Sequence, residues 1–140
     1  MTDKQKSREN KLTKSVKVCC AIILNEKKTL VVQRSEKMSL PLKWEFPGGK
    51  IEFGETEEEC VLREIKEELN IEIILISRLT PTTFFYPNIV VHLVPFLAVF
   101  SRGEMKLSEH INYKWLQKDK LAELDWAEAD IPILKEYINI

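Results

Sequence analysis

The apolar positions of the chain fall into short β-branched and aliphatic runs separated by polar turns. Val16 to Leu24 is one run and Leu30 to Gln33 the next, with Asn25-Glu26-Lys27-Lys28 between them. Such runs bounded by turn residues predict strands, here a hairpin in the middle of a sheet. Trp44-Glu45-Phe46 predicts a short strand running into Pro47-Gly48-Gly49, and Ile71 to Ile76 and Ile111 to Leu116 predict two more. Ile89 to Phe100 is a long strand interrupted by Pro95, which marks an edge or a bulge because proline cannot donate to the ladder. Ser35 to Lys43, Met105 to Glu109 and the Thr-, Pro- and aromatic-rich stretch Arg78 to Asn88 read as loops.

The period changes between Thr56 and Asn70. Val61, Ile65 and Leu69, with Leu62 beside them, recur at helical spacing and form a stripe that faces a core. Thr56 and Glu59 make a capping box, so the helix starts near Glu57. Asn70 suits the left-handed residue at its end. Gln117 to Leu124 predicts a short helix and Ile131 to Tyr137 a last one, opened by Asp130 as N-cap with Pro132 in the first turn.

With 140 residues, 44% hydrophobic and 31% charged, the chain suits one domain over residues 15–140, preceded by a polar arm, residues 1–14, without apolar periodicity. A net charge of −1 argues against a nucleic-acid polymer or a membrane as the main partner. No apolar run is long enough to span a bilayer and the N-terminus has no signal-like apolar region, so the chain reads as cytoplasmic. Cys19, Cys20 and Cys60 have no zinc-type spacing and read as buried thiols. His92 and His110 sit in no recognisable motif and read as ordinary strand or loop residues.

The charge on the central helix is what needs a cause. Glu64, Glu67 and Glu68 share one helical face, away from the apolar stripe, and like charges at this spacing cost about 0.2–0.5 kcal/mol per pair. A cation between them removes that cost, and all-oxygen ligands favour Mg²⁺ or Mn²⁺. Just upstream, Gly48, Gly49 and Gly54 let backbone approach a ligand closely, and Lys50 is placed to meet phosphate charge. Arg34 closes the second strand, where its guanidinium faces either a ligand or solvent, solvent being the more ordinary place.

Gly49, Glu55, Arg63-Glu64, Ile65, Glu67-Glu68 and Ile71 stand at the spacing of the Nudix box, which the chain therefore resembles; Asn70 replaces the family's glycine. The resemblance runs from Val16 to Ile140 and implies the Nudix fold, an α/β/α sandwich with a mixed sheet carrying the box helix. It implies a divalent ion held by Glu64, Glu67, Glu68 and Glu109 with Gly48, Glu109 preceding Trp115 by the spacing of MutT-type proteins. Glu67 or Glu109 takes a proton from water, Arg63 orients carboxylates, and Glu55 and the Gly49 backbone support the loop. It also implies a nucleotide bound by Arg34, Phe46, Gly49, Lys50 and Asp130, the aromatics Phe84 to Tyr86 offering stacking surface. An ionised Asp130 only accepts hydrogen bonds, so it selects a base edge with a donor, such as the amine of cytosine or the N7 proton of an 8-oxopurine. The implied reaction cuts a nucleoside triphosphate, 8-oxo-dGTP or a cytidine triphosphate, to monophosphate and pyrophosphate. Hydrolysis of ADP-ribose or dinucleoside polyphosphates, and a binding module without turnover, stay open, as does monomer or homodimer.

Overall fold

The structure, a computed structural model, describes residues 14–140. The arm expected at residues 1–14 lies outside the described residues except for Lys14, which opens the first strand. In chain order the elements are β1 (Lys14–Asn25), β2 (Lys28–Gln33), β3 (Trp44–Glu45), β4 (Gly48–Lys50), α1 (Glu57–Leu69), β5 (Ile71–Arg78), β6 (Thr82–Tyr86), β7 (Ile89–Gly103), β8 (Asn112–Gln117) and α2 (Ile131–Ile138). Two 3-10 turns, Lys118–Glu123 and Glu128–Asp130, precede α2. Among the described residues no helix is long and apolar enough to cross a membrane.

One mixed sheet contains all of these strands. β1 and β2 pair only beside their turn, Leu24 opposite Thr29 and Asn25 opposite Lys28, and then part. The segment from Trp44 to Lys50 is wedged into the gap: β3 pairs with Val32 and Gln33 of β2, and β4 with Val18 to Cys20 of β1. Between them Pro47 O accepts the Ala21 N–H at 2.9 Å. This wedge satisfies the backbone groups that the divergence would otherwise orphan, and it places two glycines and Phe46 along the wall of a cleft.

β7 is the spine of the sheet. It runs parallel to β1 from Ile89 to Val99, and its other edge takes β6 as far as Leu93 and β5 from Phe96 onward. Pro95 therefore marks neither an outer edge nor a bulge in β7; it falls where the neighbour changes, so the missing N–H costs no ladder bond, while its carbonyl accepts Leu79 N–H at 2.9 Å. β6 corrects the expected loop at Arg78 to Asn88: Thr82–Tyr86 lie antiparallel to β7, since Thr and aromatic residues favour a pleated, half-buried surface.

Side chains of β1 alternate between two cores, as the strand period of two requires. Cys19, Ala21 and Ile23 pack under α1 with Val61, Ile65 and Leu69; Cys20 and Ile22 pack under the C-terminal elements with Leu121, Ile133 and Leu134. Helical elements thus cover both faces of the sheet, the expected sandwich. Each fully buried stripe residue of α1 contributes about 1.5–3 kcal/mol. Leu62 is not among them. It is 42% exposed, and Cys60 fills the inward position instead.

Candidate active site

The start of α1 is built as its sequence requires. Thr56 Oγ1 accepts the Glu59 N–H at 3.1 Å and Glu59 Oε1 accepts the Thr56 N–H at 3.0 Å. At the other end Asn70 adopts φ 60°, ψ 31°. Between the caps, Arg63 gathers carboxylates from two sides. Its guanidinium grips Glu55 with two bonds, 2.6 and 2.9 Å, and donates to Glu64 at 2.8 Å, Glu67 at 3.1 Å and the Lys50 carbonyl at 3.1 Å. Glu59, one turn before it, is taken by the cap. The Arg63 hydrogen bonds hold the Glu55 carboxyl down at about 2.

The two glycines are packing requirements. A Cβ on Gly49 would stand 2.1 Å from Glu64 Cδ, and one on Gly48 would stand 1.9 Å from the Cys19 carbonyl oxygen. Glu64 therefore lies flat against bare backbone. Burial raises the pKa of Glu64 and of Glu68 above the usual carboxylate range, Glu109 adding repulsion at Glu68. Glu68 Oε2 is buried and has no hydrogen-bond partner. Oxygen donors whose charge is desolvated, mutually repelling and unsatisfied are what a divalent cation relieves, so the residues present fit one. Among the described residues no three His, Cys, Asp or Glu side chains stand close enough to bind an ion without adjustment.

The carboxylates occupy one end of a cavity of about 690 Å³. Gly48, Gly49 and Lys50 form its middle, and Phe46, Tyr86, Leu93, Ala129 and Asp130 its apolar end. That end is braced from behind: Phe46 lies 4.8 Å from the Trp126 ring, and Tyr86 Oη accepts the Ala129 N–H at 3.1 Å.

Asp130 is not a helix cap. Its backbone is already helical at φ −83°, ψ −17°, it makes no capping bond, and Pro132 has no N–H to be capped. Instead Asp130 Oδ2 accepts the Phe46 N–H at 2.8 Å across the cavity wall. Burial, with the nearby Glu45 charge, raises its pKa well above the usual carboxylate range. The neutral acid thus comes within reach, and that form donates as well as accepts.

Arg34 does not point into solvent. It donates to the Ser39 carbonyl at 2.6 Å and to Glu45 Oε1 at 3.0 Å, and it lines the cavity. Of the residues singled out from the sequence, Arg34, Phe46, Gly48, Gly49, Lys50, Glu64, Glu68, Glu109 and Asp130 share this cavity. Glu67, Arg63 and Glu55 do not line it, and the Glu67 side chain is 60% exposed. Phe85 is exposed as well, while Phe84 packs into the core. Two residues were missed. Glu45 was taken only as part of a strand, and His110 is buried in the cavity wall, with Nε2 2.8 Å from Glu45 Oε2. Its one sequence signal was its place directly after Glu109. The three thiols are buried, and burial pushes Cys60 up to about 12 and Cys19 to about 11, away from the thiolate form.

Comparison with known proteins agrees with this geometry. The family profile described as NUDIX domain matches residues 13–137. The CTP pyrophosphohydrolase of Escherichia coli K12 is 29% identical, over 91% of this chain and 94% of its own. The 8-oxo-dGTP diphosphatase of the same organism is 30% identical, over 86% and 95%. The solution structure of the DNA mismatch repair protein MutT, a Nudix hydrolase of methicillin-resistant Staphylococcus aureus 252, superposes with a TM-score of 0.74 at 40% identity, over 91% of this chain and 98% of that one.

Proposed function

Since the chain belongs to the Nudix family of hydrolases, we propose that it cuts nucleoside triphosphates into nucleoside monophosphate and pyrophosphate. The observation that carries this reading is the single cavity joining desolvated carboxylates at one end to a half-apolar, aromatic end with a buried Asp at the other. A phosphate chain and a base need those two environments at the two ends of one cleft. The relatives named for CTP and for 8-oxo-dGTP make those two the first candidate substrates.

In this reading Glu64 and Glu68, with the Gly48 backbone, bind Mg²⁺ or Mn²⁺. An ion held there would neutralise charge on phosphate oxygens and lower the pKa of bound water. Lys50 meets the remaining phosphate charge. Arg63 and Glu55 act from behind, keeping Glu64 against Gly49. Glu109 is favoured over Glu67 as proton acceptor because it lines the cavity, whereas Glu67 is exposed and bonded to Arg63. At the far end Phe46 and Tyr86 contact the base, Asp130 reads its hydrogen-bonding edge, and Arg34 braces that wall.

The test is a Mg²⁺-dependent assay of common and oxidised triphosphates, ADP-ribose and dinucleoside polyphosphates, separating pyrophosphate from phosphate, with Glu68→Gln as control. Pyrophosphate release from one triphosphate is expected, falling on the order of 10³-fold in the variant as several kcal/mol of charge stabilisation are lost. Preferential cleavage of ADP-ribose would replace the substrate assignment, and nucleotide binding without turnover would make the chain a binding module.

A further inference from the structure

His110 and Glu45 are in the cavity wall for a reason that ligand binding alone does not supply. Glu45 receives Arg34 on one oxygen at 3.0 Å and His110 Nε2 on the other at 2.8 Å. A carboxylate braced by a guanidinium offers only lone pairs, so the proton of that second bond belongs to the histidine. An imidazole whose one ring proton is on Nε2 has none on Nδ1. Nδ1 faces Glu68 Oε2 at 3.8 Å, beyond hydrogen-bond reach, and both atoms are buried without a partner.

We propose that Glu45 and His110 are a positioning pair for Glu68: Glu45 dictates the histidine tautomer, and that tautomer keeps Glu68 from being hydrogen-bonded by its own neighbour. With the opposite tautomer, Nδ1–H would donate to Glu68 Oε2 and tie up the lone pair that an ion needs. The imidazole, with only 4% of its side chain exposed, also closes one side of the space in which the Glu68 carboxylate turns. The segment carrying it is pinned at both ends. Ser108 N–H donates to the Glu68 carbonyl at 3.0 Å and Ile111 N–H to the Gln33 carbonyl at 3.1 Å, which fixes the backbone on both sides of His110. Both residues of the pair line the cavity, and the role assigned to them is an indirect one. The pair acts through Glu68, and its role rests on the reading of Glu68 as an ion ligand.

The tautomer is measurable without metal or substrate. Only two histidines are present, and His92 sits elsewhere, between Thr83 and Ser15 hydroxyls. Long-range ¹H–¹⁵N correlation on ion-free protein in alkaline buffer should show His110 protonated at Nε2 and bare at Nδ1. In Glu45→Gln the carboxamide oxygen stays with Arg34 and its NH₂ turns to His110, so the proton should move to Nδ1. Mn²⁺ affinity, read by electron paramagnetic resonance of free Mn²⁺, should fall about 10–100-fold, the usual effect of losing an outer partner of a ligand.

A proton on Nδ1 in the wild type overturns the proposal without need of any variant. So does an unchanged tautomer in Glu45→Gln, or a changed tautomer with unchanged Mn²⁺ affinity. Mn²⁺ affinity lowered in Glu68→Gln but not in Glu45→Gln overturns this proposal alone. An affinity that ignores Glu68→Gln overturns the ligand reading of Glu68 together with it.

Discussion

Gly48 and Gly49 are neighbours whose missing side chains serve different ends. A methyl at position 49 collides with the tip of Glu64, a side chain that can move; a methyl at position 48 collides with the β1 backbone, which cannot move without opening the sheet. Gly49→Ala should therefore fold with little change in melting temperature yet lose about 10²-fold in kcat, the cost of misplacing a reacting group by an ångström. Gly48→Ala should lose stability first, by about 1–3 kcal/mol in urea titration, as overpacking does. Equal effects in both variants would refute this division. The carboxylates of the box were legible in the sequence because their spacing puts a charge cluster where a solvated helix has no use for it. Asp130 was legible as a position but not in its contacts, because a cap and a buried acceptor begin with the same residue type. His110 and Glu45 were illegible, since their meaning comes from β3 and the loop before β8 meeting in space.

At the scale of elements, α1 was readable to its ends because each end carries its own chemistry. Thr56→Ala removes one half of the reciprocal cap and should cost about 1 kcal/mol, seen as a lower urea midpoint with unchanged slope. A loss well beyond that would mean the cap also anchors the loop from Gly49 to Glu55. Leu62 was misread because a one-residue step along a helix turns a side chain about 100°, and the apolar stripe alone does not say where the buried face stops. β6 was misread because the flanking Pro81 and Pro87 look like loop punctuation. Both lie just outside the paired residues, where no ladder bond is needed.

Across the whole molecule, ionisable groups pull stability in opposite directions. Glu55 has a folded pKa depressed to about 2 from 4.5, so its contribution is complete above pH 4.5 and is lost as pH falls toward 2. Glu57, held by Arg78 and Lys17, acts in the same sense. Glu64 and Glu68 are raised, so ionising them costs stability at neutral pH, and that cost disappears as pH falls through their folded values toward 4.5. Ion-free protein should melt highest in mild acid, lower at neutral pH and lower again near pH 2. Mg²⁺ at about a hundred times its dissociation constant should add about 2.7 kcal/mol at neutral pH, and Glu68→Gln should flatten the neutral side of the ion-free profile. A profile monotonic from pH 3 to 8 would contradict the assigned environments. The parting of β1 and β2 has a further consequence. The strip inserted between them, Trp44 to Lys50, carries both the aromatic floor and the glycine seat of Glu64, so the span between the two ends of the cleft is set by covalent chain rather than by a hinge. If the cleft binds a nucleotide as proposed, it would act as a gauge, favouring one length of anionic tail whatever the base.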